Sequence, residues 1–226
     1  MKINLELLKS KTTNQSILKW FEQCYPDQEP DYQAALDAAV EAEEVNLARS
    51  LLKAIGPTND VLKIKGDLVI KTSLVFAGSI DVTGGIVAGW DIEAGRGIKA
   101  GDGIEAGWGI KAGDDIEAGD GIEAGWGIKA GDGIEAGWGI KAGWGIKAGW
   151  GIKAGRGIKA GESIKAGWGI EAGWGIKAGD DIEAGGGFGI FAGKNVKIIC
   201  WDVDAQVVAK TKPLNLISGV FKAKEG

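Results

Sequence analysis

Two adjacent aspartate pairs, Asp114–Asp115 and Asp180–Asp181, are the residues whose type and spacing come nearest to metal chemistry. Calcium takes about six to eight oxygens, and no loop around either pair supplies them at the required spacing, so both read as solvated corners. GIFAGKN (189–195) has the glycines and lysine of a phosphate loop without its spacing or its Ser/Thr. GWGIKAG is one residue out of step with a dinucleotide fingerprint. Cys24 and Cys200 lie in different regions with no metal or redox spacing, and read as reduced, partly buried thiols. The chain has no His. That removes the usual general base, triad partner and imidazole ligand together, so neither catalysis, a metal nor a cofactor is expected.

What remains for function are the exposed letters of a repeat. From Ile86 to Gly187 the chain is 17 consecutive hexapeptides I-x-A-G-x-x. The second position is nearly always Lys or Glu, and the fifth is Trp, Asp, Arg or Glu until Gly186. The sixth is mostly Gly, with Asp91, Asp115, Ser163 and Asp181 as exceptions. Ile and Ala alternating with a charged residue is the signature of a short strand with one face buried. A strict period of six makes this a β-solenoid rather than a disordered glycine tract, because each coil buries a layer of Ile. Gly at positions four and six is expected to serve corners whose backbone angles a Cβ would resist.

Three faces of six residues give a coil of 18, stacking each residue about 4.8 Å from the one 18 later. A flattened coil of 12 is the alternative, and 18 is preferred because Ile and Ala alone can fill a triangular section. The pattern extends backward through Leu62, Leu68, Leu74 and Ile80, for seven coils over 62–187. The expected fold is mainly β: a three-faced parallel β-solenoid with a small α-helical N-terminal cap and a β-rich C-terminal cap. Its boundaries are read as 1–60 for the helical cap, 61–193 for the solenoid and 194–226 for the last cap.

Solenoid ends expose apolar core and unpaired backbone, and need such caps. Ile17, Trp20, Phe21 and Cys24 fall at helical spacing, and residues 31–56 offer two amphipathic helices broken near Glu43–Glu44, with Gly56–Pro57 as a stop. IEAGGGFGIFAG (182–193) inserts two residues and moves the phase to Ile190 and Val196. Beyond it Val203, Ala205, Val207 and Ala209 alternate, which predicts one or two longer strands, with Trp201 and Phe221 as cap residues.

The repeat resembles that of hexapeptide-repeat β-helix proteins, a family with many acyltransferases, over more than half the chain. The resemblance stops short of acyltransferase chemistry, which depends on a catalytic His and a small residue where this chain has Trp, Asp or Arg. It is also similar to the repeats of bactofilins, which implies a polymer-forming scaffold as one reading; the helical head would block one end from stacking.

With a coil of 18, Trp90, Trp108, Trp126 and Trp144 share one column and predict an aromatic ridge. Charge is divided along the axis. Residues 102–137 hold nine acidic groups, among them Asp102, Asp114, Asp120 and Asp132, against two lysines; residues 138–166 hold six basic ones, among them Lys147 and Lys153, against Glu162. Trp anchors beside charge suit a protein interface. The leading expectation is therefore a non-enzymatic interaction protein, an immunity or inhibitor protein that neutralises a bacterial toxin or defence protein. Glycan or single-stranded nucleic acid on the Trp ridge is a further alternative. Nucleic acid is disfavoured by the net charge of −5. An oligomer would form through the solenoid ends or the Trp ridge. No apolar run is long enough to span a membrane and no secretory signal opens the chain, which predicts a cytoplasmic protein.

Overall fold

The structure, a computed structural model, describes residues 1–186, 188–196 and 200–224. Among these, the repeat strands form three parallel sheets of nine, nine and seven strands. Through the repeats each strand pairs with the one three strands away in sequence, in a register such as Ile110 with Ile128 with Ile146. The coil is therefore 18 residues, and the solenoid makes about nine turns, a rod roughly 40 Å long at the usual strand spacing. We call the sheets face 1 (opening with Val61–Ile64), face 2 (Leu68–Ile70) and face 3 (Leu74–Phe76).

The alternation of the sequence sets the inside and outside. From Ile98 to Ala166 each three-residue strand buries Ile and Ala and exposes the residue between them: Ile128 and Ala130 are buried to within 2% while Lys129 is exposed. The core is one continuous column from Ile80 to Ala209, with Leu62, Leu68, Leu74 and Phe221 packed on it part-buried.

Glycine at the fourth position has a different cause from the one its corner location suggests. Among the described residues no glycine of the regular repeat has a positive φ; those that do are Gly56, Gly66, Gly189, Gly193 and Gly219. A Cβ on Gly125 would instead lie 2.0 Å from the carbonyl oxygen of Gly107, and on Gly131 1.8 Å from that of Gly113. Close stacking of backbone on backbone excludes a side chain there. At the sixth position the same test gives 3.2 Å for Gly103 and 3.3 Å for Gly121, a contact that neighbours can relax. That difference explains why Asp and Ser interrupt position six and never position four. The aspartates there also serve the ladder: Gly109 N–H donates to Asp91 Oδ1 (3.0 Å) and Gly133 N–H to Asp115 Oδ1 (2.7 Å).

Four helices precede the rod: α1 (Leu5–Lys11), α2 (Gln15–Cys24), α3 (Tyr32–Glu41) and α4 (Val45–Ile55). Asn4, Asn14 and Asp31 cap the first three, each accepting a backbone N–H of the first turn. Ile17 and Phe21 of α2 join Leu36, Leu51 and Val75 in a second core under the head. Trp20 is half-buried, and Cys24, expected to be partly buried, is exposed; Cys200 is intermediate. The last residue of α2 simply falls on its solvent side. The head closes the open edge of face 3. Gln33 of α3 donates through Nε2 to the Val75 carbonyl (2.8 Å) and accepts through Oε1 from the Ala77 N–H (2.9 Å), as a neighbouring strand would.

Arg49 of α4 locks this joint electrostatically. It bridges two buried carboxylates, Asp91 (2.9 Å) and Glu93 (3.0 Å), and Lys111 also pairs with Glu93. The 18-residue coil sets Glu93 over Lys111, but the pair is not a surface one: Glu93 is only 2% exposed because the head covers it. Breaking a buried ion pair leaves uncompensated charge. Arg49→Ala is expected to lower stability by about 2 kcal/mol, at the low side because Lys111 remains and Arg49 is partly solvated. Chemical denaturation of Arg49→Ala against Arg49→Lys measures it.

At the other end the two-residue insertion appears as pairing of Gly169 with Gly189 and Ile170 with Ile190, an offset of 20. The C-terminal segment does not build a separate β-unit: Gln206–Ala209 and Val220–Ala223 continue face 2, and Leu216–Ser218 continues face 1, all parallel. Val203, read as a strand residue, lies instead in a short helix, Trp201–Asp204, and is 73% exposed. The alternation holds from Ala205 onward, where Val207 and Ala209 are fully buried, and fails one step earlier because the chain must turn to regain the register of face 2. Val196 sits in a bend rather than a strand. Residues 197–199 of the expected strand and the Trp201 side chain lie outside the described residues. The last coil of face 3 is closed by Asn215, whose Nδ2 donates to the Ala184 carbonyl (2.9 Å). No helix among the described residues is long and apolar enough to cross a membrane.

Candidate functional site

Fifth-position side chains leave the corners, and a coil of 18 sorts them into three columns. At the corner between faces 2 and 3 stand Trp90, Trp108, Trp126 and Trp144, stacked with ring centroids 5.6, 5.2 and 5.3 Å apart and planes within 15°. Their backbone makes the stack: Trp108 N–H donates to the Trp90 carbonyl, Trp126 to Trp108 and Trp144 to Trp126, at 2.8–2.9 Å. Centroid spacings beyond the strand repeat mean the indoles lie offset, the arrangement their quadrupoles favour. Trp108, Trp126 and Trp144 remain 42–55% exposed, while Trp90 is half-buried.

Two further columns containing aromatic rings stand at the other two corners, and the same 18-residue spacing relates Trp150 to Trp168 and Trp138 to Arg156 and Trp174. Trp150 stacks on Trp168 (5.8 Å) and Trp168 on Phe188 (5.6 Å) at the corner between faces 3 and 1. With Phe191 they line a small apolar hollow of about 260 Å³. Phe188 could not be found by counting 18, because the insertion puts it 20 residues after Trp168. At the corner between faces 1 and 2, the Arg156 guanidinium lies 4.5 Å from the Trp138 ring and 5.7 Å from that of Trp174, within cation–π reach of both.

The charged candidates do not form one patch. Asp102 and Asp120 occupy the corner between faces 1 and 2, Asp114 and Asp132 the corner between faces 3 and 1, Lys147 stands on face 3 and Lys153 on face 1. Asp114 lies 3.8 Å from Arg96, and Lys153 binds Glu135 across neighbouring coils (2.6 Å), which holds the Lys153 ammonium above its ordinary pKa. Asp180 is hydrogen-bonded by Lys210, which depresses its carboxyl, and Thr211 donates to Asp181. The acidic pairs that invited a metal reading are thus engaged with protein groups.

Face 3 carries a different feature. Its outward row reads Glu93, Lys111, Lys129, Lys147, Lys165, Glu183, in register at each step. The end lysines pair with the flanking glutamates, Lys111 with Glu93 and Lys165 with Glu183. Among the described residues Lys129 and Lys147 have no ion-pair partner. Stacked like charges repel, and these two stand beside Trp126 and Trp144 of the neighbouring corner. No protein-family model, curated protein or solved structure matches the chain.

Proposed function

We propose that the chain is a non-catalytic recognition rod that binds a protein partner along one edge, across the Trp108–Trp126–Trp144 ladder and the adjoining lysines of face 3. The observation that carries this is the juxtaposition of half-exposed, stacked indoles with Lys129 and Lys147, two in-register ammonium groups without a carboxylate partner among the described residues. Aromatic anchors already held in place lose little entropy on binding. The lysines select a partner with an acidic surface and an apolar ridge, and steer its approach. Masking the partner's own working surface, as an immunity or inhibitor protein does, is the action such a rigid edge suits. Closure of both ends of face 3, by Gln33 and by Asn215, supports a rod that works through its sides rather than by end-to-end polymerisation.

Capture from the native host tests this reading. Trp108→Ala and Trp126→Ala are each expected to weaken the captured complex by more than about 1 kcal/mol, while the loss of ring stacking lowers folding stability by about 1 kcal/mol and leaves the rod folded. Lys129→Glu with Lys147→Glu slows association, an effect that shrinks in high salt. Unchanged affinity of folded Trp variants makes the ladder structural and overturns the proposal. So does preferential capture of a single-stranded oligonucleotide.

A further inference from the structure

Face 2 is the one face whose charges are segregated along the axis. Its outward row reads Val87, Glu105, Glu123, Lys141, Lys159, Lys177, each in register with the next. The corner column beside it repeats the order, Asp102 and Asp120 followed by Trp138, Arg156 and Trp174. Between the two rows runs a trough of about 880 Å³ floored by Gly103, Gly121, Gly139, Gly157 and Gly175. Among the described residues this face has a single ion pair, Glu123 with Lys141, at the junction of its two halves. Among the described residues Glu105, Lys159, Lys177, Asp102 and Asp120 join none. Glu105 stacks on Glu123, and Lys141 on Lys159 on Lys177, so like charges face one another at strand spacing.

We propose that face 2 is a self-association surface on which a second copy of the chain packs antiparallel, face against face. A two-fold axis running along the strands, between the coils of Glu123 and Lys141, reverses the axial order and keeps each corner beside its own counterpart. Glu105 then meets Lys159 of the second copy, Asp102 meets Arg156, and Glu123 meets Lys141. Asp120 falls opposite Trp138, whose indole N–H is a donor, and Trp174 falls opposite Gly84, where no side chain stands. Glu105, Lys159, Asp102 and Arg156 each gain an opposite charge across the axis, twice over by symmetry, while Lys177 falls opposite Val87. Arg156 is held ready for this by Trp138 and Trp174.

The other faces lack this property. Reversal of face 3 sets Lys129 and Lys147 against lysines. The charges of face 1 are already joined along the rod, Lys99 with Glu117, Lys153 with Glu135 and Lys194 with Glu171. Six coils of face 2 span roughly 30 Å by 15 Å, about 450 Å² per copy, near the lower bound for a specific interface. The dimer is therefore a micromolar one, and it depends on salt. The lysine row of face 3 lies outside this interface, while the Trp corners of the two copies stand side by side at its edge.

Sedimentation equilibrium of the full chain between about 1 and 200 µM, at about 0.05 M and 0.5 M salt, reads the dimer directly. A dimer whose dissociation constant rises about tenfold or more in high salt is expected. Asp102→Lys with Glu105→Lys sets Lys against Arg156 and Lys159 across the axis, and Arg156→Glu with Lys159→Glu sets Glu against Asp102 and Glu105. Each double variant should be monomeric alone, and an equimolar mixture of the two should restore a heterodimer. Lys129→Glu with Lys147→Glu, on face 3, should leave the dimer unchanged. A wild-type chain monomeric at every concentration, reversals that leave association intact, or a mixture that fails to associate overturns the proposal.

Discussion

Ile128→Asp is expected to remove about 5 kcal/mol of stability, the sum of lost packing and a carboxylate with no partner in an apolar column. Ile128 is 1% exposed and stacks on Ile110 and Ile146 in neighbouring coils. A solenoid is a chain of nearest-neighbour contacts, so the damage stays local at first. The coils on either side of 128 should melt as separate units, with the half joined to the helical head unfolding last. Calorimetry should then show two transitions where the unaltered chain shows one. Ile128→Val, by comparison, costs about 1 kcal/mol. Lys129→Asp, one residue along and exposed, stays within about 0.5 kcal/mol of zero. A single unshifted transition for Ile128→Asp would mean that the column does not bear the fold.

Gly131→Ala should be nearly as damaging, at about 3 kcal/mol or more. The added methyl would meet the Gly113 carbonyl oxygen at 1.8 Å and its carbon at 2.8 Å. These are backbone atoms of the preceding coil, already committed to the inter-coil ladder, so relief requires two coils to separate. Gly121→Ala provides the contrast. Its methyl would sit 3.3 Å from the Gly139 carbonyl oxygen, and a smaller unfolded-state entropy offsets the crowding, so the net effect stays within about 1 kcal/mol. Urea unfolding of the two variants separates them. Equal effects would show that the two glycines serve the same purpose, against the spacing found between coils.

Much of the fold follows from period alone. Seventeen hexapeptides with Ile and Ala alternating about a charged residue allow only a strand with one buried side. Ile128, Ala130 and their equivalents are buried where the pattern puts them. The 18-residue coil also followed from the sequence, because Ile and Ala fill a triangular section. With it came the Trp90–Trp144 stack and the pairing of Glu135 with Lys153. Period-based reasoning weakens where the period does. Val203 alternates with Ala205 and Val207 yet lies in a helix, because restoring register to face 2 takes a turn that a local pattern does not record.

The sequence by itself determined which residues point inward, since that depends on alternation along the chain; it favoured a coil of 18 over one of 12, and the inter-coil register decides for 18 and so for the Trp column. Tertiary structure decided the rest. Only packing of α4 on the rod turns Glu93 from a surface residue into a buried one held by Arg49 and Lys111, because that burial comes from a segment 44 residues away. Only the inter-coil distance shows that fourth-position glycine answers a steric demand from the coil before it rather than its own backbone angles. The axial division of charge, read along the chain, suggested one dipolar rod. Folding distributes those same residues over three faces, leaving Lys129 and Lys147 of face 3 without an ion-pair partner among the described residues and face 2 with acid followed by base, because neighbours in sequence point to different sides while residues 18 apart point to the same one.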